Sequence, residues 1–224
     1  MRPGDCVDDA ADPHAGQPVF AAGPKPANVR LAMICVHGRG ASAGDILALA
    51  GELDLRDIAF MAPQAGGNTW YPYSFLAPMP QNEPGITSGL GVLSRLIESL
   101  RGDGLPPERI ALLGFSQGAC LSLEYAARHA RRYAGVFCLS GGLIGPPGTP
   151  RAYEGSFDGT PVFLGCSDVD PHIPLERVRE SADVCRRLGA TVDERIYKGM
   201  GHTVNPDEIA AITAVLKAPA SGRR

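Results

Sequence analysis

The chain has little that would point to nucleic acid, a membrane or a metal cluster. Its 21 Lys and Arg nearly balance its 24 Asp and Glu, for a net charge of −3, and the basic residues are scattered. With no basic block, a nucleic acid or an anionic surface is not an expected partner. No apolar run approaches the ~20 residues needed to cross a bilayer, so membrane insertion is not expected. Six cysteines stand at positions 6, 35, 120, 138, 166 and 185. None forms a C-x-x-C pair, the spacing of zinc knuckles and redox dithiols. Cys35, Cys120 and Cys138 sit inside apolar runs and read as small buried hydrophobes in a reducing compartment. The start, "MRPGDCVDDAADPH", is acidic and has no apolar centre, so it does not read as a signal peptide, and a cytoplasmic location is expected. Aromatics make up only 6% of the chain, with a single Trp. There is no internal repeat and no linker.

What is present is a steady alternation of strand-like and helix-like stretches. The 224 residues, 44% hydrophobic, suffice for one domain with a sizeable core and are too few for two ordinary ones. Residues 1–26, rich in Gly, Pro, Ala and Asp, are expected to be loosely ordered, with one short edge strand in "QPVFAAG". Residues 27–218 form the domain, and 219–224 a flexible tail. Apolar runs "RLAMICV", "IAFMAPQ", "RIALLGF", "YAGVFCLSG" and "TPVFLGC" read as buried strands, and "TVDERIY" as a more exposed one. Helical spacing marks "AGDILALAGEL", "ITSGLGVLSRLIESL", "SQGACLSLEYAARHA", "PLERVRESADVCRRL" and "NPDEIAAITAVLK", the last with Asn205 as N-cap and Pro206 beside it. This order predicts an α/β domain with a mostly parallel sheet and helices on both faces. Ligands of such sheets bind beyond the carboxyl ends of the strands.

Two stretches match G-x-S-x-G: Gly114-Phe115-Ser116-Gln117-Gly118 and Gly40-Ala41-Ser42-Ala43-Gly44. A nucleophile elbow needs its serine on a tight turn between a strand and a helix. Ser116 follows "RIALLGF" without a gap and opens a helix. Ser42 lies several residues past its strand and reads as a helix N-cap. A serine needs a histidine base, itself oriented by a carboxylate, in the chain order Ser, Asp/Glu, His. Downstream stand His172 and His202, while His129 lies three turns along the serine's own helix and reads as solvated. His202, in the Gly-rich turn "YKGMGHTVNP" between the last strand and the last helix, is the expected base.

An acyl transfer also needs two N–H donors for the developing oxyanion. The residue after the nucleophile, Gln117, supplies one. The loop His37-Gly38-Arg39-Gly40, after the strand ending at Val36, reads either as a plain Gly-rich turn or as the source of the second, through the Arg39 N–H. The Arg39 side chain is then free to face solvent or an acidic substrate group. The segment from Pro63 to Gly85, "PQAGGNTWYPYSFLAPMPQNEPG", is too long and apolar for a plain turn. Trp70, Tyr71, Tyr73 and Phe75, with Leu76 and Met79, could line a substrate pocket or simply pin their own loop. In "GCSDVDPHIP", Asp168, Asp170 and His172 alternate as metal ligands on a strand would. Pro171 and Pro174 argue against a strand there, which makes the segment a loop leading into a helix.

Together these residues resemble the phospholipase/carboxylesterase family, which includes the acyl-protein thioesterases. The resemblance rests on "VHGRGAS", "APQAGGNTWYP" with "YSF", "LLGFSQGACLSL", "DPHIPLERV" and "YKGMGH", and runs from about Val29 to the C-terminal helix. It implies a single-domain α/β-hydrolase fold without a large cap domain, and a triad of Ser116, Asp170 and His202. It also implies Arg39 and Gln117 as oxyanion donors, no metal and no cofactor. The expected substrate is a small-molecule or acyl-chain ester or thioester, and the expected assembly a monomer or homodimer. Asp170 is favoured over Asp168 because Asp170-Pro171-His172-Ile173-Pro174 matches the family's Asp-Pro-x-x-Pro without a gap. The family's His-Gly before this loop is replaced by Cys166-Ser167. Two rival readings are a non-catalytic scaffold of the same fold that binds a ligand or protein, and a metal hydrolase built on Asp168, Asp170 and His172.

Overall fold

The computed structural model describes residues 12–218. Seven strands form one sheet in the order β1-β3-β2-β4-β5-β6-β7. They are β1 Val19–Ala22, β2 Leu31–Val36, β3 Ile58–Pro63, β4 Ile110–Phe115, β5 Gly135–Leu139, β6 Pro161–Ser167 and β7 Thr191–Tyr197. Only β1 runs antiparallel, pairing Val19 with Pro63 at the edge; the other neighbours are parallel. Five helices complete the fold: α1 Ala43–Gly51, α2 Gly85–Gly102, α3 Gln117–Arg128, α4 Leu175–Arg187 and α5 Pro206–Lys217.

β2 is buried along its whole length. Alternate residues serve opposite layers: Ala32, Ile34 and Val36 face the core shared with α2, α3 and α4. Leu31, Met33 and Cys35 face the core shared with α1 and α5. A strand whose two faces are both covered must be apolar throughout, which is why it reads as an unbroken run. α1 begins at Ser42, whose hydroxyl accepts the Asp45 N–H while the Asp45 carboxylate accepts the Ser42 N–H. α5 opens on the same reciprocal arrangement between Asn205 and Glu208, with Pro206 at its first position. α4 starts after Pro174 and buries Val178, Ser181, Ala182 and Cys185, the i, i+3, i+4, i+7 stripe of an amphipathic helix.

After β3 the chain crosses back over β2 to lay down β4 on its far side. The topological switch therefore lies between β2 and β4, and a crevice opens at their carboxyl ends. The loops following β2, β4, β6 and β7 gather at that end.

Of the segment expected to be loose, residues 1–11 lie outside the described residues, as do 219–224 and Cys6. From Asp12 onward the chain is tied down. His14 is buried, its Nε2 bonded to the Trp70 carbonyl and its Nδ1 accepting the Gly66 N–H. The composition suggested a tail because these anchors lie more than 50 residues away in sequence. No helix of the described residues is long and apolar enough to cross a membrane.

Glu208 is buried in the first turn of α5, against Gly165 of β6, where a Cβ would overlap its Oε1. Burial raises its pKa to about 7, against the pull of the Asn205 N–H. Unfolded, a glutamate titrates near 4.5. This carboxyl thus contributes stability that is complete below pH 4.5 and is lost as pH rises through 7. Replacing Glu208 with Gln should abolish that component. The difference in unfolding free energy between Glu208→Gln and the parent should move in the variant's favour by on the order of 2 kcal/mol between pH 5 and pH 8. Denaturant melts at the two pH values measure it, and a pH-independent difference contradicts the assignment.

Candidate active site

The connection from β4 to α3 is a single residue, Ser116, with φ 55° and ψ −120°. A non-glycine residue rarely holds this conformation, because it costs about 1–3 kcal/mol and persists only where its surroundings enforce it. Here they do. The Ser116 N–H donates to the Leu139 carbonyl of β5 at 2.9 Å, and its own carbonyl accepts the Cys120 N–H at 3.0 Å. Gly114 and Gly118 let the turn close: a Cβ on Gly114 would overlap the Gly118 carbonyl, and one on Gly118 the Val36 carbonyl. The Ser116 side chain is thereby pushed out of the sheet toward the crevice. The other G-x-S-x-G has no such geometry; its Ser42 is a helix cap.

Ser116 Oγ lies 2.8 Å from His202 Nε2, and His202 Nδ1 lies 2.7 Å from Asp170 Oδ2. A carboxylate only accepts, so Nδ1 carries the proton and Nε2 is left as the acceptor facing the serine hydroxyl. The Asp170 side chain is fully buried. Its Oδ1 accepts the N–H groups of His172 and Ile173 at 2.8 and 3.0 Å. Burial pushes this carboxyl's pKa up, but the His202 hydrogen bond and the two N–H groups outweigh it and hold the group ionised below its ordinary value. Asp168 faces elsewhere: its Oδ1 accepts the Gly199 N–H at 2.7 Å. His172 packs edge-on against the His202 ring, 4.9 Å between centroids. Asp168, Asp170 and His172 therefore point to different partners. Among the described residues no three His, Cys, Asp or Glu side chains are grouped to hold a metal ion.

The loops carrying Asp170 and His202 are stitched together. β6 and β7 end in register, Ser167 opposite Tyr197. Beyond that pair, Ser167 Oγ accepts the N–H groups of Val169 and Gly201, both at 3.1 Å, and Asp168 takes that of Gly199. Nothing in sequence spacing marks Ser167 for this task, because its partner lies 34 residues on.

On the other side of Ser116 lies the loop after β2. The loop packs directly on the elbow: a Cβ on Gly38 would sit in contact, 3.4 Å from both the Phe115 carbonyl oxygen and Ser116 Cβ. His37 is buried. Its Nδ1 donates to the Gly38 carbonyl at 2.7 Å and its Nε2 accepts the Ala65 N–H at 3.1 Å. Burial lowers its pKa, which favours this neutral tautomer. Gln117, the first residue of α3, has an N–H of the kind a helix leaves without an internal partner. Its side chain spans to the aromatic segment, accepting the Trp70 N–H and donating to the Tyr71 carbonyl, both at 2.8 Å.

Two expectations need correction. The Arg39 guanidinium is not free: it donates to the carbonyls of Tyr71, Pro72 and Tyr73 at 2.9, 2.8 and 2.5 Å and clamps the 63–85 segment over the site. A chain of three adjacent carbonyls is a better partner for a planar, multi-donor cation than bulk water alone. And Trp70 lines no cleft. It is wholly buried, its indole N–H donating to the His37 carbonyl at 2.9 Å, and its ring sits between His14 and His37. Its task is to tie the aromatic segment to the loop after β2.

Tyr71, Tyr73 and Phe75 do line a cleft of about 370 Å³ that opens onto Ser116, Gln117, Arg39 and His202. Cys120, His172 and Ile173 complete its wall. Phe75 is held from behind: its carbonyl accepts the Gly145 N–H at 2.7 Å, and the buried Arg177 guanidinium lies 5.9 Å from its ring. Cys120 and Ile173 were not anticipated, although Cys120 stands one helical turn past Ser116, a spacing that places it on the same face.

Residues 21–219 match the phospholipase/carboxylesterase family. A solved phospholipase/carboxylesterase from Dyadobacter fermentans is 40% identical and superposes with a TM-score of 0.87, covering 90% of this chain and 97% of that one. An acyl-protein thioesterase 1 of Gibberella zeae is 31% identical over 146 residues, 61% of this chain and 59% of the relative. That of Emericella nidulans is 28% identical over 79% of this chain and 85% of the relative. The chain spans about three fifths of the length of the first curated relatives it matches.

Arg39→Ala keeps the main-chain N–H but deletes three hydrogen bonds to the aromatic segment. Loss of charge-assisted bonds worth at least ~1.4 kcal/mol together should raise the opened population of that segment about tenfold. Chymotryptic cleavage near residues 71–75 should accelerate accordingly, while cleavage elsewhere stays unchanged. An unaltered digestion rate there contradicts the clamp.

Proposed function

Because the chain belongs to the phospholipase/carboxylesterase family, we propose that it is a serine hydrolase that cleaves a carboxylic ester or thioester through an acyl-enzyme. The observation that carries this reading is the unbroken line from Asp170 through His202 to the strained Ser116, with contacts of 2.7 and 2.8 Å. These are the distances a general base needs to reach its proton. The curated relatives named acyl-protein thioesterase support the thioester half of the substrate class.

In the first step Ser116 Oγ attacks the substrate carbonyl carbon as its proton passes to His202 Nε2. The carbonyl π pair becomes an oxyanion, held by the N–H groups of Arg39 and Gln117. Asp170 stays ionised, keeps the Nδ1 tautomer in place and stabilises the imidazolium. Collapse of the tetrahedral intermediate breaks the bond to the alkoxide or thiolate, which leaves with the proton from His202. Water then repeats the attack on the acyl-enzyme, with His202 taking its proton, and the acid product departs as Ser116 is restored. Burial of Asp170 strengthens its hold on His202, since the same charge in a water-filled loop would be screened.

Turnover of a short-chain p-nitrophenyl ester tests the assignment. Ser116→Ala should abolish it with the fold retained. Asp170→Asn, which would leave His202 with the wrong tautomer, should lower kcat by about 10³–10⁴-fold. Asp168→Asn, which keeps an acceptor oxygen for the Gly199 N–H and touches no member of the triad, should cost far less. Equal losses at the two aspartates, or a larger one at Asp168, overturn the choice of acid.

A further inference from the structure

We propose that the groove between α1 and α5, beside His202, is the leaving-group subsite, and that it takes an alcohol or thiol whose extended apolar chain ends in a cation such as a quaternary ammonium. The proposal rests on the reading of Ser116 as the acylated nucleophile and names the leaving-group class of that same site.

Two cavities meet at His202. The cleft of about 370 Å³ holds Ser116 with Arg39 and Gln117, the proposed oxyanion donors. The acyl carbonyl stays among those three residues through both steps, so this cleft belongs to the acyl half of the substrate. The second cavity, of about 520 Å³, is lined by His202 but by none of the three. Gly38, Phe115 and His202 form its head. Gly38 packs on the elbow, where a Cβ would lie 3.4 Å from Ser116 Cβ. The Phe115 and His202 rings stand 5.0 Å apart between centroids. The groove thus begins a residue's width from the serine, on the side of the base. A leaving oxygen or sulfur takes its proton from His202 and must lie against that ring. A chain attached to it and directed away from the acyl cleft runs into the groove.

The walls decide what kind of chain fits. Leu49 lines the groove from α1, and Val204 and Ile209 line it from the start of α5. These three and Phe115 are left half-buried against the core beneath. An apolar chain laid along them removes their surface from water. The charge of the groove has one sign: Asp45 and Glu52 line it, and among the described residues no Lys or Arg does. Asp45 is occupied at the head of α1, where its carboxylate accepts the Ser42 N–H and hydroxyl. Glu52 is not. It is the C-cap of α1, the last turn of that helix carries no basic residue, and Glu52 forms no ion pair among the described residues. A helix C-terminus carries a partial negative charge, so a carboxylate there does nothing for the helix and adds to its field. The far end of the groove therefore attracts a cation and repels an anion. Position follows from the helix, since Asp45 and Glu52 are about 10 Å apart along α1. That span matches a hexyl or octyl spacer and leaves an ethyl spacer short.

The test uses acetate esters in isosteric pairs, an ω-(trimethylammonio)alkyl ester against the one with tert-butyl in the same place, with ethyl, butyl, hexyl and octyl spacers. Acid release at low ionic strength reads kcat/KM for each. The parent protein should favour the cation by about fivefold at the hexyl or octyl length, and by less at the ethyl length. Glu52→Gln should bring the long-spacer ratio down to that of the ethyl pair. Loss of packing alone would lower both esters of a pair together and leave the ratio in place. No preference for the cation at any length, a preference greatest with the ethyl spacer, or one that survives Glu52→Gln overturns the proposal. Calorimetric binding of the same esters to Ser116→Ala reads the ratio without turnover. Absence of all ester turnover in the parent protein would then count against the nucleophile assignment, and equal affinities within the hexyl and octyl pairs against the groove.

Discussion

Everything at this site depends on one bend of the main chain. β4 must end and α3 must begin with nothing between them but Ser116, held at φ 55°. The bend is possible because Gly114 and Gly118 remove the two Cβ atoms that would collide with the next turn and with β2. It is stable because the hydrogen bond to Leu139 and the buried flanks of β4 and α3 leave the chain nowhere else to go. Strain of this kind is tolerated where surrounding structure over-determines it. In return the serine hydroxyl projects from the sheet, with the first helical N–H of α3 beside it.

The rest of the site is brought to that hydroxyl by sheet topology. The switch between β2 and β4 sets the Gly38-Arg39 loop against one side of Ser116. On the other side, the level ends of β6 and β7 launch the Asp170 and His202 loops abreast, and Ser167 and Asp168 bind them together through three main-chain N–H groups. The triad geometry is thus a property of main-chain hydrogen bonds between loops, more than of the three side chains. Arg39 and Gln117, the proposed oxyanion donors, also fasten Tyr71 and its neighbours into a wall through their side chains.

The strands, helices and their alternation were legible in the sequence because each buried element carries its period openly: the unbroken apolar run of β2, the amphipathic stripe of α4, the capping residues Ser42 and Asn205. So was the difference between Ser116 and Ser42, since only one of them directly joins a strand to a helix. What stayed hidden is what long-range contact decides. Trp70 looks like a pocket residue by type, yet His14 and His37 enclose it. Arg39 looks solvated by its glycine-rich setting, yet it meets three carbonyls more than 30 residues away. The segment from Asp12 looked loose by composition, and only the buried His14 explains its order. Glu208 reads as a helix-cap partner, which it is, but its burial against Gly165 has no local signature.

The central claim is that Ser116 becomes covalently acylated while its carbonyl oxygen faces Arg39 and Gln117. A crystal structure of the protein inactivated with diethyl p-nitrophenyl phosphate addresses it directly, because the bound phosphoryl group mimics the tetrahedral intermediate. The predicted result is a phosphorus–oxygen bond to Ser116 Oγ, a phosphoryl oxygen within hydrogen-bond distance of both N–H groups, and the His202–Asp170 contact intact. Full inactivation with Ser116 unmodified, or a phosphoryl oxygen turned away from those two N–H groups, would contradict the account.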